Sequence, residues 1–148
     1  HRHRQRRGYR HEGRHRKRCH WYKCRHSRKR NTNYAIGARA GQTVTGADNY
    51  AMGIEAGRQV TGSQNSTFGY HSGTYITGSS NSAFGRDAGK NIVGSQNLAF
   101  GAYAGQYVGA TGKAVQDNIA IGTNANKFTA GSKLTTSGNT AIGKDSKA

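Results

Sequence analysis

From Asn33 onward the chain repeats a sixteen-residue unit: Asn-x-Ala-(Ile/Met/Phe)-Gly-x-x-Ala-Gly-x-x-(Val/Ile)-x-Gly-x-x. Units begin at Asn33, Asn49, Asn65, Asn81 and Asn97, and two twenty-one-residue steps follow through Asn118 to the partial unit at Asn139. A period of this size belongs to a structural coil and not to an independent domain. Such a coil is too thin to bury much apolar surface alone, so coils must stack or chains must share a core. Composition agrees. Only 32% of residues are hydrophobic, where a globular chain has roughly 45–50% with glycine counted.

Alternation at the head of each unit predicts a short strand, whose neighbouring residues point to opposite faces. The fourth position is always large and apolar: Ile36, Met52, Phe68, Phe84, Phe100, Ile121 and Ile142. These seven are expected to form the roll core. The third position is small (Ala35, Ala51, Thr67, Ala83, Ala99, Ala120, Ala141), leaving a face stripped for close approach, and an invariant glycine follows. Eight residues after the bulky position comes a second apolar site, Val44, Val60, Ile76, Ile92 and Val108. Each coil therefore carries two strands joined by glycine turns, and in-register stacking yields parallel ladders with like above like. The unit-start asparagines are expected to tolerate left-handed backbone and to bond neighbouring amides.

Charge divides the chain near Asn31. Residues 1–30 hold 14 Arg and Lys against the single Glu12, a net +13, while residues 31–148 hold nine against five, a net +4, together the +17 of the whole. The basic residues are Arg2, Arg4, Arg6, Arg7, Arg10, Arg14, Arg16, Lys17, Arg18, Lys23, Arg25, Arg28, Lys29 and Arg30. With almost no aliphatic residue to offset ordering entropy, this arm is expected to order only against a partner. It suits an acidic capsid, tail or cell-surface protein. Alternatively it binds nucleic acid or another polyanion, with Tyr9, Trp21 and Tyr22 available to stack on bases, or it is a solvated tail. The division is thus a basic arm over residues 1–32 and a repeat region over residues 33–148.

Cys19 and Cys24, with His26 nearby, reach the upper limit of structural zinc spacing, but no second pair matches them and the surroundings are positive. No metal is expected. A disulfide between Cys19 and Cys24, or between chains, suits an extracellular protein; free thiols are the alternative. No cofactor and no catalytic constellation are expected either. The five acids after Asn31 are scattered among turns, His71 is the one histidine there, and no Ser or Thr has a paired base. Asn65-Ser-Thr67 matches a glycosylation acceptor, yet its place on a repeat strand already explains it. Tyr34, Tyr50, Tyr70, Tyr75, Tyr103 and Tyr107 vary in position and include candidates for a receptor contact. No apolar stretch approaches the roughly 20 residues of a membrane-spanning helix, and residues 1–30 are the reverse of a secretory signal.

The strands Asn118-Ile-Ala-Ile-Gly122, Asn139-Thr-Ala-Ile-Gly143 and Asn81-Ser-Ala-Phe-Gly85 resemble the head repeats of YadA-type trimeric autotransporter adhesins. Similar units occur in bacteriophage fibre and other virion-surface proteins. The resemblance covers roughly residues 31–148 and implies a left-handed parallel β-roll with three identical chains side by side. The units here are longer than the usual adhesin repeat, and the extra residues fall in Gly109–Asp117 and Thr129–Gly138 as turn insertions protruding from the roll. The expectation is an all-β parallel β-roll, a β-solenoid, assembled as a homotrimer with an extended basic arm. It would be a structural or adhesive surface fibre, not an enzyme, at a virion, cell or other extracellular surface, anchored by the arm and open to a host receptor or glycan. The alternative is a nucleic-acid or polyanion-binding module with the roll as trimerisation scaffold.

Overall fold

The computed structural model describes residues 19–20 and 32–148. Among them there is no helix; every element is a strand of two to four residues, as the short alternating motifs require. An eight-stranded parallel sheet takes β1 (Cys19–His20), β2 (Tyr34–Ile36), β4 (Tyr50–Met52), β6 (Ser66–Phe68), β8 (Ser82–Phe84), β10 (Leu98–Phe100), β12 (Ile119–Ile121) and β13 (Thr140–Ile142) in that spatial order. A five-stranded parallel sheet runs β3 (Val44–Thr45), β5 (Val60–Thr61), β7 (Ile76–Thr77), β9 (Ile92–Ser95) and β11 (Val115–Gln116). Each coil contributes one strand to the first sheet, and the pairing Ala35↔Ala51↔Thr67↔Ala83↔Ala99↔Ala120↔Ala141 places identical repeat positions above one another. This is the architecture of a β-solenoid.

The interior differs from the expectation. The seven bulky residues point outward: Ile36, Met52, Phe100 and Ile142 are exposed, the last by 66%, while Phe68, Phe84 and Ile121 are half-buried. Within one chain they are not the roll core. The core is the small face, where Ala83, Ala88, Ala99, Ala104, Ala120, Ala125 and Ala141 form one cluster. The second apolar column, Val60, Ile76, Ile92, Val108, Val115 and Leu134, forms the other wall. The reason is width. A sixteen-residue ring folded into two strands leaves too narrow a lumen for a phenylalanine column facing a valine column, so alanine takes the inward place.

An asparagine spine closes each coil. Asn81 donates from Nδ2 to Gly94 O, near the end of its own coil, at 2.8 Å and to Asn65 Oδ1 of the previous coil at 3.1 Å; its N–H also donates to Asn65 Oδ1, at 3.0 Å. The amide-to-amide contact recurs from Asn33 to Asn139. The asparagines are not the left-handed residues. Positive φ falls just before them, on Asp48, Gln64, Ser80, Gln96 and Asp117, because the asparagine must keep strand geometry to hold the ladder. The invariant glycine is dictated by close approach: a Cβ on Gly53, at φ 129°, would stand 2.4 Å from Gly69 O.

Candidate interaction surface

The outer wall of the eight-stranded sheet is the most distinctive surface of the chain. Its central column is the bulky series, with Phe68 and Phe84 stacked at 5.0 Å and 3° between planes, and Phe84 and Phe100 tilted at 5.9 Å. Beside it Tyr34 and Tyr50 stack at 5.2 Å; Ser66 and Ser82 interrupt that column before Leu98 and Ile119 make it apolar again toward the C-terminal end. Ile54 and Tyr70 widen the apolar strip, each nearly half exposed. A contiguous exposed apolar strip of this length is unusual on an isolated soluble chain and marks an interaction surface.

Next to this wall, the first turn of successive coils stacks Arg39, Glu55, His71, Asp87 and Tyr103 in one column, each with left-handed backbone. Glu55 is buried, pairs with Arg39, accepts from Arg58 Nη1 at 3.0 Å and lies 3.5 Å from His71 Nε2. His71 stacks on Tyr70 at 4.0 Å, and its Nδ1 is 3.8 Å from Asp87, which also meets Arg86 at 3.5 Å. Burial pulls the Glu55 carboxyl upward, but the Arg58 hydrogen bond and the charges of Arg39, His71 and Arg58 outweigh it and hold the group below the usual carboxylate range. A carboxylate held ionised by cations is a structural ion pair, not a proton donor poised for catalysis. Two of the five acids after Asn31, Glu55 and Asp87, are therefore gathered on either side of His71, while Asp48, Asp117 and Asp145 stay apart at exposed turns. The sixteen-residue spacing of 39, 55, 71 and 87 was the available signal.

Other sequence candidates separate. Asn65 of the glycosylation match is buried, and both its amide hydrogens are committed, to Asn49 Oδ1 and Gly78 O at 3.0 Å each. Tyr34, Tyr50, Tyr70 and Tyr75 are exposed, while Tyr103 and Tyr107 are half-buried. Tyr103 lies between two cations, Arg86 at 5.4 Å and Lys127 at 4.4 Å from its ring centre. The two insertions are tight antiparallel bridges, Ala110↔Lys113 and Thr129↔Ser132, with exposed tips.

The basic arm residues and the proposed partners Cys24 and His26 lie outside the described residues. Cys19 enters only through the backbone pairing of β1, and the anchor, metal and disulfide expectations stay where the sequence left them. Among the described residues no group of three His, Cys, Asp or Glu side chains converges on a metal-sized site, and no helix is long and apolar enough to cross a membrane. Comparison of the chain with protein-family models, curated proteins and solved structures returns no match.

Proposed function

We propose that the chain is a structural and adhesive element of a surface fibre, in which three copies pack their apolar outer walls together and the basic arm anchors the assembly. The observation that carries this reading is the outward-facing column from Ile36 to Ile142. A stack of large apolar side chains running the length of a rod is costly to leave in water, and copies laid side by side would cover it. Membership of the YadA-like group, the left-handed sense of the coil and the threefold count rest on the repeat resemblance. The placement at a virion or cell surface rests on it too.

The arm then contributes docking to an acidic capsid, tail or cell-surface partner. A second reading, a polyanion-binding module held in several copies by the roll, draws on the net +13 of residues 1–30. Sedimentation equilibrium tests the shared wall: a mass near three chains is expected, and a folded single chain across the accessible concentration range overturns it. Removing residues 1–30 separates the two readings. Loss of attachment to a particle with assembly retained supports the anchor; loss of salt-sensitive polyanion binding alone supports the module.

A further inference from the structure

Charge is segregated along the roll. From Asn31 to Asp87, Arg39, Arg58 and Arg86 are matched by three acids and the balance is zero; beyond Asp87 six lysines stand against Asp117 and Asp145, a net +4. The arginines pair with Glu55 and Asp87, whereas among the described residues no lysine comes within ion-pairing distance of a carboxylate. Two of these lysines, Lys113 and Lys133, end the two five-residue insertions at residues 109–113 and 129–133.

Neither insertion is needed to build the roll. Around the first, Val108 still bridges Ile92, and Val115 pairs with Gly94. Around the second, Leu134 bridges Val108, and the Gly138 N–H donates to Gln116 O at 3.0 Å. The feet of the loops are fixed, because Val108, Phe128 and Leu134 pack in the valine-rich wall of the core. Each loop is closed by a reciprocal pair of backbone bonds, Ala110 with Lys113 at 3.0 and 2.8 Å and Thr129 with Ser132 at 3.1 and 3.0 Å. The Gly109 N–H donates to Leu134 O at 2.8 Å and ties the first loop to the foot of the second. Stacked coils lie about 4.8 Å apart, so the two loops leave the second sheet side by side. Their crowns are open: residues 111–114 and 129–133 are exposed, and a Cβ on Gly112 or Gly131 would meet nothing within 4 Å.

We propose that the paired loops are a binding site for an acidic polysaccharide. Each presents an ammonium group and a hydroxyl within one turn, Thr111 with Lys113 and Ser132 with Lys133, and neither carries an acid or an aromatic ring. Ammonium groups suit the sulfate or carboxylate substituents of such a polymer, and side-chain hydroxyls suit the sugar hydroxyls between them. Both loops are held in place before a ligand arrives, so little ordering entropy opposes binding. Single-stranded nucleic acid fits less well, because its binding surfaces stack bases on aromatic rings that these loops lack. The site goes beyond the fibre reading and does not rest on it, since the loops leave the second sheet and not the apolar wall.

Lysine acetylation followed by mass spectrometry reads each amine separately, so the full chain is used with its basic arm in place. The probes are dextran sulfate and polygalacturonate, with neutral dextran as control, at ~0.15 M salt to screen exposed charges. Either acidic polymer should protect Lys113 and Lys133 several-fold more than Lys90, and neutral dextran should protect none of the three. Protection by one acidic polymer and not the other supports the site and names its anion. Thr111→Ala combined with Ser132→Ala leaves every charge in place and should raise the polymer concentration for half-protection by about fivefold. Protection confined to Lys17, Lys23 and Lys29 overturns the inference, and so does equal protection of Lys90, Lys113 and Lys133. A single-stranded oligonucleotide that protects the loops as well as the polysaccharides, at equal anion concentration, overturns the ligand class; an unchanged midpoint in the hydroxyl variant does the same. None of these outcomes depends on the sedimenting mass that tests the shared wall.

Discussion

Ala83 and Phe84 are adjacent on β8 and face opposite ways. Ala83 is fully buried against the alanines of neighbouring coils, while Phe84 lies on the outer wall between Phe68 and Phe100. Inward space and outward surface therefore set different rules one residue apart. Ala83→Leu should overpack the lumen and cost about 1–3 kcal/mol, measured by denaturant unfolding. Phe84→Leu should leave the single-chain fold nearly unchanged. Equal destabilisation by the two would contradict the assigned faces.

Phe84→Asp probes the wall differently. It should leave the β signature in circular dichroism intact and reduce the sedimenting mass toward one chain, because a covered wall would have to bury an unpaired carboxylate. Asp in place of the exposed Arg86 should keep the assembled mass.

Asn81→Ala removes the amide that meets Gly94 O and the oxygen that accepts from Asn97, both within the buried spine. Leaving the Gly94 carbonyl and the Asn97 N–H unpaired should cost about 2–4 kcal/mol. The matching change at the half-buried end, Asn139→Ala, should cost less, since water can replace the lost partners. Chemical denaturation of the two variants checks the order.

Gly53→Ala places a Cβ against Gly69 O in a backbone region that side chains rarely adopt, and should cost roughly 3–5 kcal/mol. Gly112→Ala, in the first insertion, also has a positive φ of 77° but nothing near its would-be Cβ, so only the backbone strain remains and the cost should be smaller. A comparable loss at both sites, seen in thermal unfolding, would mean that conformation and not coil-to-coil contact sets the glycine requirement.

The Glu55 cluster predicts a pH effect with a definite sign. The folded carboxyl is held below its unfolded value, so its contribution is present above the ordinary carboxylate range and lost as pH falls through the folded value. Urea midpoints should decline on acidification, and Glu55→Gln should flatten that decline. The effect should be modest, because Arg39 is more than half exposed and solvent screens the pair. A variant that tracks the parent at every pH would remove Glu55 from the account.

The period, the strand at the head of each unit, the second apolar column and the breaks at the two insertions were all legible in the sequence. They are local and recur, so a misplaced residue would show against six others. The charge boundary near Asn31 was equally plain. The sense of the alternation was not. Period-two patterning states that residues 83 and 84 oppose each other, but it does not say which one faces inward, and apolar size argued for Phe84. Only the closed ring decides this, because lumen width appears when two strands of one coil are brought face to face. The same closure keeps the unit-start asparagines, whose expected amide bonding is present, in strand geometry and moves the left-handed backbone to the residue before each from Asn49 onward. It also gathers Arg39, Glu55, His71 and Asp87 into one ionic column. The sequence by itself determined that there is a coil and how often it recurs; the tertiary structure decided which side of that coil is inside, since inside exists only once the chain has closed on itself.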